Sequence, residues 1–189
     1  MPQIPIEERR AKGINIIDLV KVLKIYRRTH KNAVFSKDVE ALFKERILPN
    51  KWYSYRIFLE LINFAYKNLL ASKEDNAVQL GMAGGLVVLK EYHGVFIEEG
   101  DPIATLLSLR HSWRSYFNFG FHEAKSDDDH SVEMTVGDYP DVGPCHAHMI
   151  IGWDMGGAKL AGASDIRYEL LTRPWEGAGQ LTYIIRFRV

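Results

Sequence analysis

The hydrophobic period of this chain changes near Tyr116, and that change limits the fold more than any other feature. Upstream, apolar residues recur at helical spacing; downstream, Phe117, Phe119 and Phe121 alternate with Asn118, Gly120 and His122. A period of about 3.6 marks a helix with one buried stripe, and a period of 2 marks a strand with one buried face. A chain that moves from one to the other fits neither an all-helical bundle nor an all-β sandwich.

The upstream part reads as five helices. Ile16, Leu19, Val20, Leu23 and Tyr26 form the stripe of the first, and Ser36 caps a second that carries Val39, Leu42, Phe43 and Ile47 up to Pro49. Residues 54–70 place Phe58, Leu61, Ile62, Ala65 and Leu69 on one side of a third. Ser72 is the expected cap of a fourth, over 73–92, which contains Gly81, Gly84 and Gly85. Each mid-helix glycine costs about 1 kcal/mol relative to alanine, so the group points to a close backbone approach by another helix or a ligand. The fifth opens on Asp101-Pro102, an N-cap acceptor followed by a proline at the first helical position, and is expected to reach Tyr116.

The downstream part reads as two hairpins around a sixth helix. Phe117, Phe119 and Phe121 lead to a turn at Asp127-Asp128-Asp129, and Val132, Met134 and Val136 line the returning strand. A loop with two prolines spans 139–144, and a helix over 145–161 carries Gly152, Gly156 and Gly157, a flank expected to lie close against a sheet. Ile166, Tyr168 and Leu170 alternate toward a turn at Pro174, Gly177 and Gly179, and Leu181, Tyr183, Ile185 and Phe187 return. The expectation is an α+β fold: a helical layer of about five helices on a small antiparallel sheet, built from two hairpins separated by a glycine-rich helix.

Charge divides the chain where periodicity does not. Lys and Arg equal Asp and Glu at 24 each, yet residues 1–56 hold thirteen basic and six acidic side chains. No linker or repeat interrupts the sequence, so 1–189 is expected to be a single domain, with basic N-terminal helices over 1–50 and a ligand-binding core over 51–189. The zero total argues against a nucleic-acid-coating protein, and the basic segment lacks the interleaved aromatics of a single-strand platform. No stretch is long and apolar enough to span a membrane, and Met1 to Lys12 lacks the apolar core of a secretory signal, which points to the cytoplasm. One cysteine, Cys145, excludes an internal disulfide and a four-cysteine zinc site.

The C-terminal spacing of Cys145, Gly152, Gly156, Glu169, Gly179, Tyr183 and Phe187 resembles the superfamily that contains the 4-vinyl reductase domain, the haem nitric-oxide-binding domain and the Golgi transport-particle subunits. Trp52-Tyr53, Asp101-Pro102, Trp113 and the run from Tyr116 to Gly120 look closer still to an uncharacterised myxobacterial-type family of similar length. The resemblance implies a bacterial regulatory or sensor domain. His111 stands about where the nitric-oxide-binding branch has its haem ligand, but the Tyr-x-Ser-x-Arg string that holds the haem propionates in that branch is missing from the C-terminal half. Cys145 and Glu169 match positions at which the reductase branch binds zinc, and His148 shares a helical face with Cys145. Three candidates are short of a closed tetrahedral site, which needs four ligands. No cofactor is therefore expected, neither haem nor zinc.

No phosphate loop, nucleotide fingerprint or nucleophile elbow is present, which argues against an enzyme. Two functions remain. In the first, a non-enzymatic sensor binds a small apolar or amphipathic ligand in a cavity lined by Trp113, Tyr116, Phe119 and Trp153, with Gly84 and Gly156 giving close approach. In the second, the same aromatics are ordinary core, and a scaffold module docks a protein partner through Lys24, Arg27 and Arg28 or forms a homodimer.

Overall fold

The computed structural model describes residues 4–139 and 141–189. Met1 to Gln3 of the polar leader and Pro140 of the two-proline loop lie outside the described residues. The chain forms two compact units, Met1–Ser72 with Ser115–Phe119, and Lys73–Arg114 with Gly120–Val189.

In the first unit, strand β1 (Arg10–Lys12) precedes helices α1 (Ile17–Thr29) and α2 (Lys37–Leu42), and strand β2 (Trp52–Ser54) leads into α3 (Tyr55–Asn68). The apolar stripes do what the spacing predicts: Val20 and Leu23 of α1 are buried, as are Phe58, Leu61, Ile62 and Ala65 of α3. Ser36 caps α2, its Oγ accepting from the Val39 N–H at 3.3 Å. That helix ends at Leu42, well before Pro49. β1 and β2 pair antiparallel, with Ala11 opposite Tyr53. These three-residue strands are too short to show any period in a sequence. Asn118 ties the Ser115–Phe119 segment to β1, its Oδ1 accepting from the Arg10 N–H at 2.6 Å and its Nδ2 donating to the Glu8 carbonyl at 3.0 Å.

The second unit holds α4 (Glu74–Tyr92), α5 (Pro102–Leu109), the one-turn α6 (Trp113–Tyr116) that runs across the unit boundary, β3 (Phe121–Asp128), β4 (Ser131–Gly137), α7 (Pro144–Leu160), β5 (Ser164–Thr172) and β6 (Leu181–Arg188). Its sheet is antiparallel with order β3-β4-β6-β5. Facing pairs put His122 beside Val136, Val136 beside Leu181, and Met134 beside Tyr183, so these residues share the buried face. The α+β class expected from the change of period is the class observed.

Four local expectations are corrected. Ser72 has φ of +53° and does not cap α4, whose N-cap is Lys73. The fifth helix ends at Leu109, and a 3-10 turn over Arg110–Ser112 separates it from α6. Phe117 and Phe119 precede the strand: Gly120, at φ +66°, breaks the alternation, so that His122 and Ala124 face inward rather than Phe121. Finally, the glycines of α7 face a helix and not the sheet. A Cβ built on Gly152 would lie 2.0 Å from the Val78 carbonyl oxygen, and one on Gly81 2.1 Å from that of Met149. Gly85 and Gly156 meet backbone atoms of Trp153 and Met82 in the same crossing. The paired Gly-x-x-x-Gly spacings of α4 and α7 therefore let two backbones touch, a contact that side chains would prevent.

Candidate functional site

Helix α7 carries three of the polar side chains buried in the second unit, His146, His148 and Asp154. Gly143 is its N-cap and Pro144 its first residue, where a missing N–H is harmless. About three turns on, Asp154 is the single carboxylate of this glycine-rich helix, and it is completely buried. Tyr183, from the inner face of β6, donates its hydroxyl to Asp154 Oδ2. His122, from the inner face of β3, puts Nε2 3.3 Å from the same oxygen and 3.5 Å from the Tyr183 hydroxyl. The other carboxylate oxygen, Oδ1, has no hydrogen-bond partner among the described residues. A buried carboxylate must be compensated by donors or a paired charge, because solvation lost in the interior is worth several kcal/mol. Burial, then the charge of Asp154, then the hydrogen bond itself push the Tyr183 phenol well above its ordinary range, so it remains a donor at all physiological pH.

A second buried pair adjoins the first. Tyr139 shares a hydrogen bond with His146 Nδ1, and burial pushes the imidazole down to about 3, keeping it neutral. Trp113 stands between the two groups, its ring centroid 5.9 Å from that of His122 and 6.1 Å from that of Tyr139. Together these residues fix α7 on the sheet by polar contacts of defined geometry. The set includes no hydroxyl or thiol poised beside a base at an open surface.

The residues singled out in the sequence are spread over both units. Trp113 belongs to the cluster just described, whereas Tyr116 and Phe119 are buried in the first unit, Phe119 4.6 Å from the ring of Tyr55 and under the Arg9 guanidinium. Burial raises the Tyr116 phenol above its ordinary range. Gly156 serves the helix crossing, Trp153 is half-buried there, and Gly84 has nothing within 4 Å of where a Cβ would stand. Arg27 is held by Glu40 at 2.6 Å, while Lys24 is half-buried and Arg28 exposed on the same helix.

Cys145 is buried and its thiol pushed up to about 12 by desolvation. His148 points Nδ1 at the Pro144 carbonyl, 2.6 Å away, and Nε2 at Glu74; Glu169 is exposed and paired with Arg186 at 3.2 Å. Among the described residues no group of three His, Cys, Asp or Glu is arranged to hold a metal ion, and no helix is long and apolar enough to cross a membrane.

His122, Asp154 and Tyr183 escaped sequence reasoning. The one signal available was Asp154 itself, a lone acid in a helix without a polar face.

No family model matches the chain, and no curated protein matches it. Solved structures do. An H-NOX protein from S. oneidensis in its Fe(II)NO state is 12% identical, with 94% of this chain and 99% of that one covered at a TM-score of 0.68. The Fe(II) unliganded H-NOX protein from K. algicida is 14% identical, with 94% and 97% covered at 0.67. An oxygen-binding H-NOX domain related to soluble guanylate cyclases, in its oxygen complex, is 14% identical, with 94% and 95% covered at 0.61. The chain therefore has an H-NOX-like fold, which is that of the haem nitric-oxide-binding branch named above. The likenesses to the 4-vinyl reductase domain and to the myxobacterial-type family gain no such support.

These neighbours correct the expectation that no cofactor is involved. The fold shared here is one whose members include iron–nitrosyl and oxygen complexes, and a further H-NOX structure concerns haem distortion. A missing propionate motif was too narrow a ground for setting haem aside. His111 is exposed, with Nε2 accepting from Arg110 at 3.3 Å, and the buried His122, His146 and His148 are engaged as described.

Proposed function

We propose that this chain is a non-enzymatic sensor domain that binds a small ligand and passes its state on through the helices. The observation that carries this reading is the H-NOX-like fold, shared over 94% of the chain with proteins solved as nitric-oxide and oxygen complexes. The ligand class is small and apolar or amphipathic, with haem and the gases it carries now included.

The test is direct. Purified protein is titrated with hemin and followed by absorption spectroscopy, and a panel of lipids and aromatic compounds is screened by thermal shift. The reading expects one class to bind near one equivalent and to raise the melting temperature. A Soret band that shifts on adding nitric oxide and disappears in His111→Ala identifies that histidine as the ligand after rearrangement. A protein that takes up none of these compounds is not a sensor of this kind.

A further inference from the structure

The exposed edge of the four-stranded sheet is self-complementary. β5 is an edge strand, since the order is β3-β4-β6-β5, and none of its nine residues is buried. Edge strands present unpaired backbone groups and are templates for a further strand. Read against itself in antiparallel register about Tyr168, β5 sets Arg167 opposite Glu169, Glu169 opposite Arg167, and Ile166 opposite Leu170. Opposite charges at directly facing positions of an antiparallel pair are favourable, and like charges are not.

The existing partner strand makes this register more specific. Arg167 faces Arg186 across β5 and β6, an unfavourable like-charge pair, and Arg167 has no ion pair among the described residues. Arg186 leans instead toward Glu169, at 3.2 Å. A glutamate arriving on the open side of Arg167 would give this otherwise unpaired guanidinium an opposite charge and offset its repulsion from Arg186. Beside this edge runs an open groove of about 410 Å³, lined by Val78, Met155, Ile166 and Tyr168 together with the polar Asp75, Gln79 and Arg167. It has room for an apolar side chain from an added strand.

We propose that a second copy of this chain docks at β5, forming a two-fold symmetric dimer whose two sheets join antiparallel about Tyr168. A two-fold interface requires the same patch on both subunits to complement itself, and this strand does so in charge and in apolar content. The inference goes beyond the sensor reading, and each stands or falls alone: dimerisation is measured without any ligand, and ligand uptake without any dimer.

The experiment is sedimentation velocity on the full chain over a concentration series, with circular dichroism to confirm that each variant is folded. Wild type is expected to dimerise. Arg167→Glu places glutamate against Glu169 twice, and Glu169→Arg places arginine against Arg167 twice, so each is expected to weaken the homodimer by about tenfold or more. Mixing the two single variants restores both pairs and should yield a heterodimer, and R167E/E169R in one chain should restore the homodimer. A chain that stays monomeric throughout overturns the proposal. So does a dimer indifferent to both reversals, or one that neither mixing nor the double exchange recovers.

Discussion

The hydroxyl of Tyr183 and the carboxylate of Asp154 form a hydrogen bond with neither side chain reaching solvent, and this contact joins the centre of the sheet to α7. Tyr183→Phe removes the strongest donor and leaves Oδ2 with His122 alone. An unsatisfied buried acceptor costs about 1–3 kcal/mol, more when it is charged, and urea unfolding should show a loss in that range. Asp154→Leu with Tyr183→Phe removes both partners and should lose less than the two single losses combined, because no orphaned charge remains. Additive losses would mean that the two residues are energetically independent.

The contrast between this network and the elements around it shows what a sequence discloses. Asp101-Pro102 states a helix start completely: Asp101 Oδ1 accepts from the Ala104 N–H at 2.8 Å and the proline sits at the first position, as local chemistry requires. The Gly-x-x-x-Gly spacings announced a close approach but not the partner, because nothing local distinguishes a sheet from a helix at that distance. The inward position of His122 has a sharper cause. A single left-handed residue, Gly120, moves the alternation by one position and turns every later side chain over. Asp154 then meets two strands far away in sequence, and only the register of both strands brings the three groups together.

Cys145 supplies a test of burial. With its thiol pushed up to about 12 by desolvation, the reactive thiolate is about one molecule in ten thousand at pH 8. A chromogenic disulfide reagent should therefore react with the native protein only as fast as it opens, and the rate should rise to that of a free thiol in denaturant. Fast, stoichiometric labelling of the native chain would show that the N-terminal turn of α7 is accessible.

The glycines of the helix crossing divide into two groups with opposite outcomes. Gly152→Ala would force a methyl group to within 2.0 Å of the Val78 carbonyl oxygen, so α4 and α7 must separate. Overpacking of this kind costs about 1–3 kcal/mol and more against rigid backbone, which lowers the melting temperature by several degrees in a chain of this size. Gly84→Ala meets nothing within 4 Å in the same helix pair and lies in a helix interior. It should stabilise by about 0.5–1 kcal/mol by removing backbone freedom from the unfolded chain. Two losses would indicate that Gly84 is itself covered, as a ligand-contacting position would be.

Acid should weaken the fold in a window set by His146. Its imidazole titrates near 6.5 when unfolded and at about 3 in the buried pair with Tyr139, so above pH 6.5 both states are neutral and the contribution is complete. As the pH falls below 6.5 the unfolded chain takes up the proton first, and stability drops by about 1.4 kcal/mol per pH unit until the folded state also protonates near 3. The whole span amounts to at most about 5 kcal/mol. His146→Gln keeps a hydrogen-bonding group opposite Tyr139 and removes the titration. Urea midpoints measured from pH 7.5 to pH 4 should therefore fall more steeply for the wild type than for the variant, with the two curves diverging below pH 6.5. Parallel curves would show that the acid response belongs to other groups, among them the exposed Asp128, whose carboxyl is lowered by hydrogen bonds from Ser131 and His130.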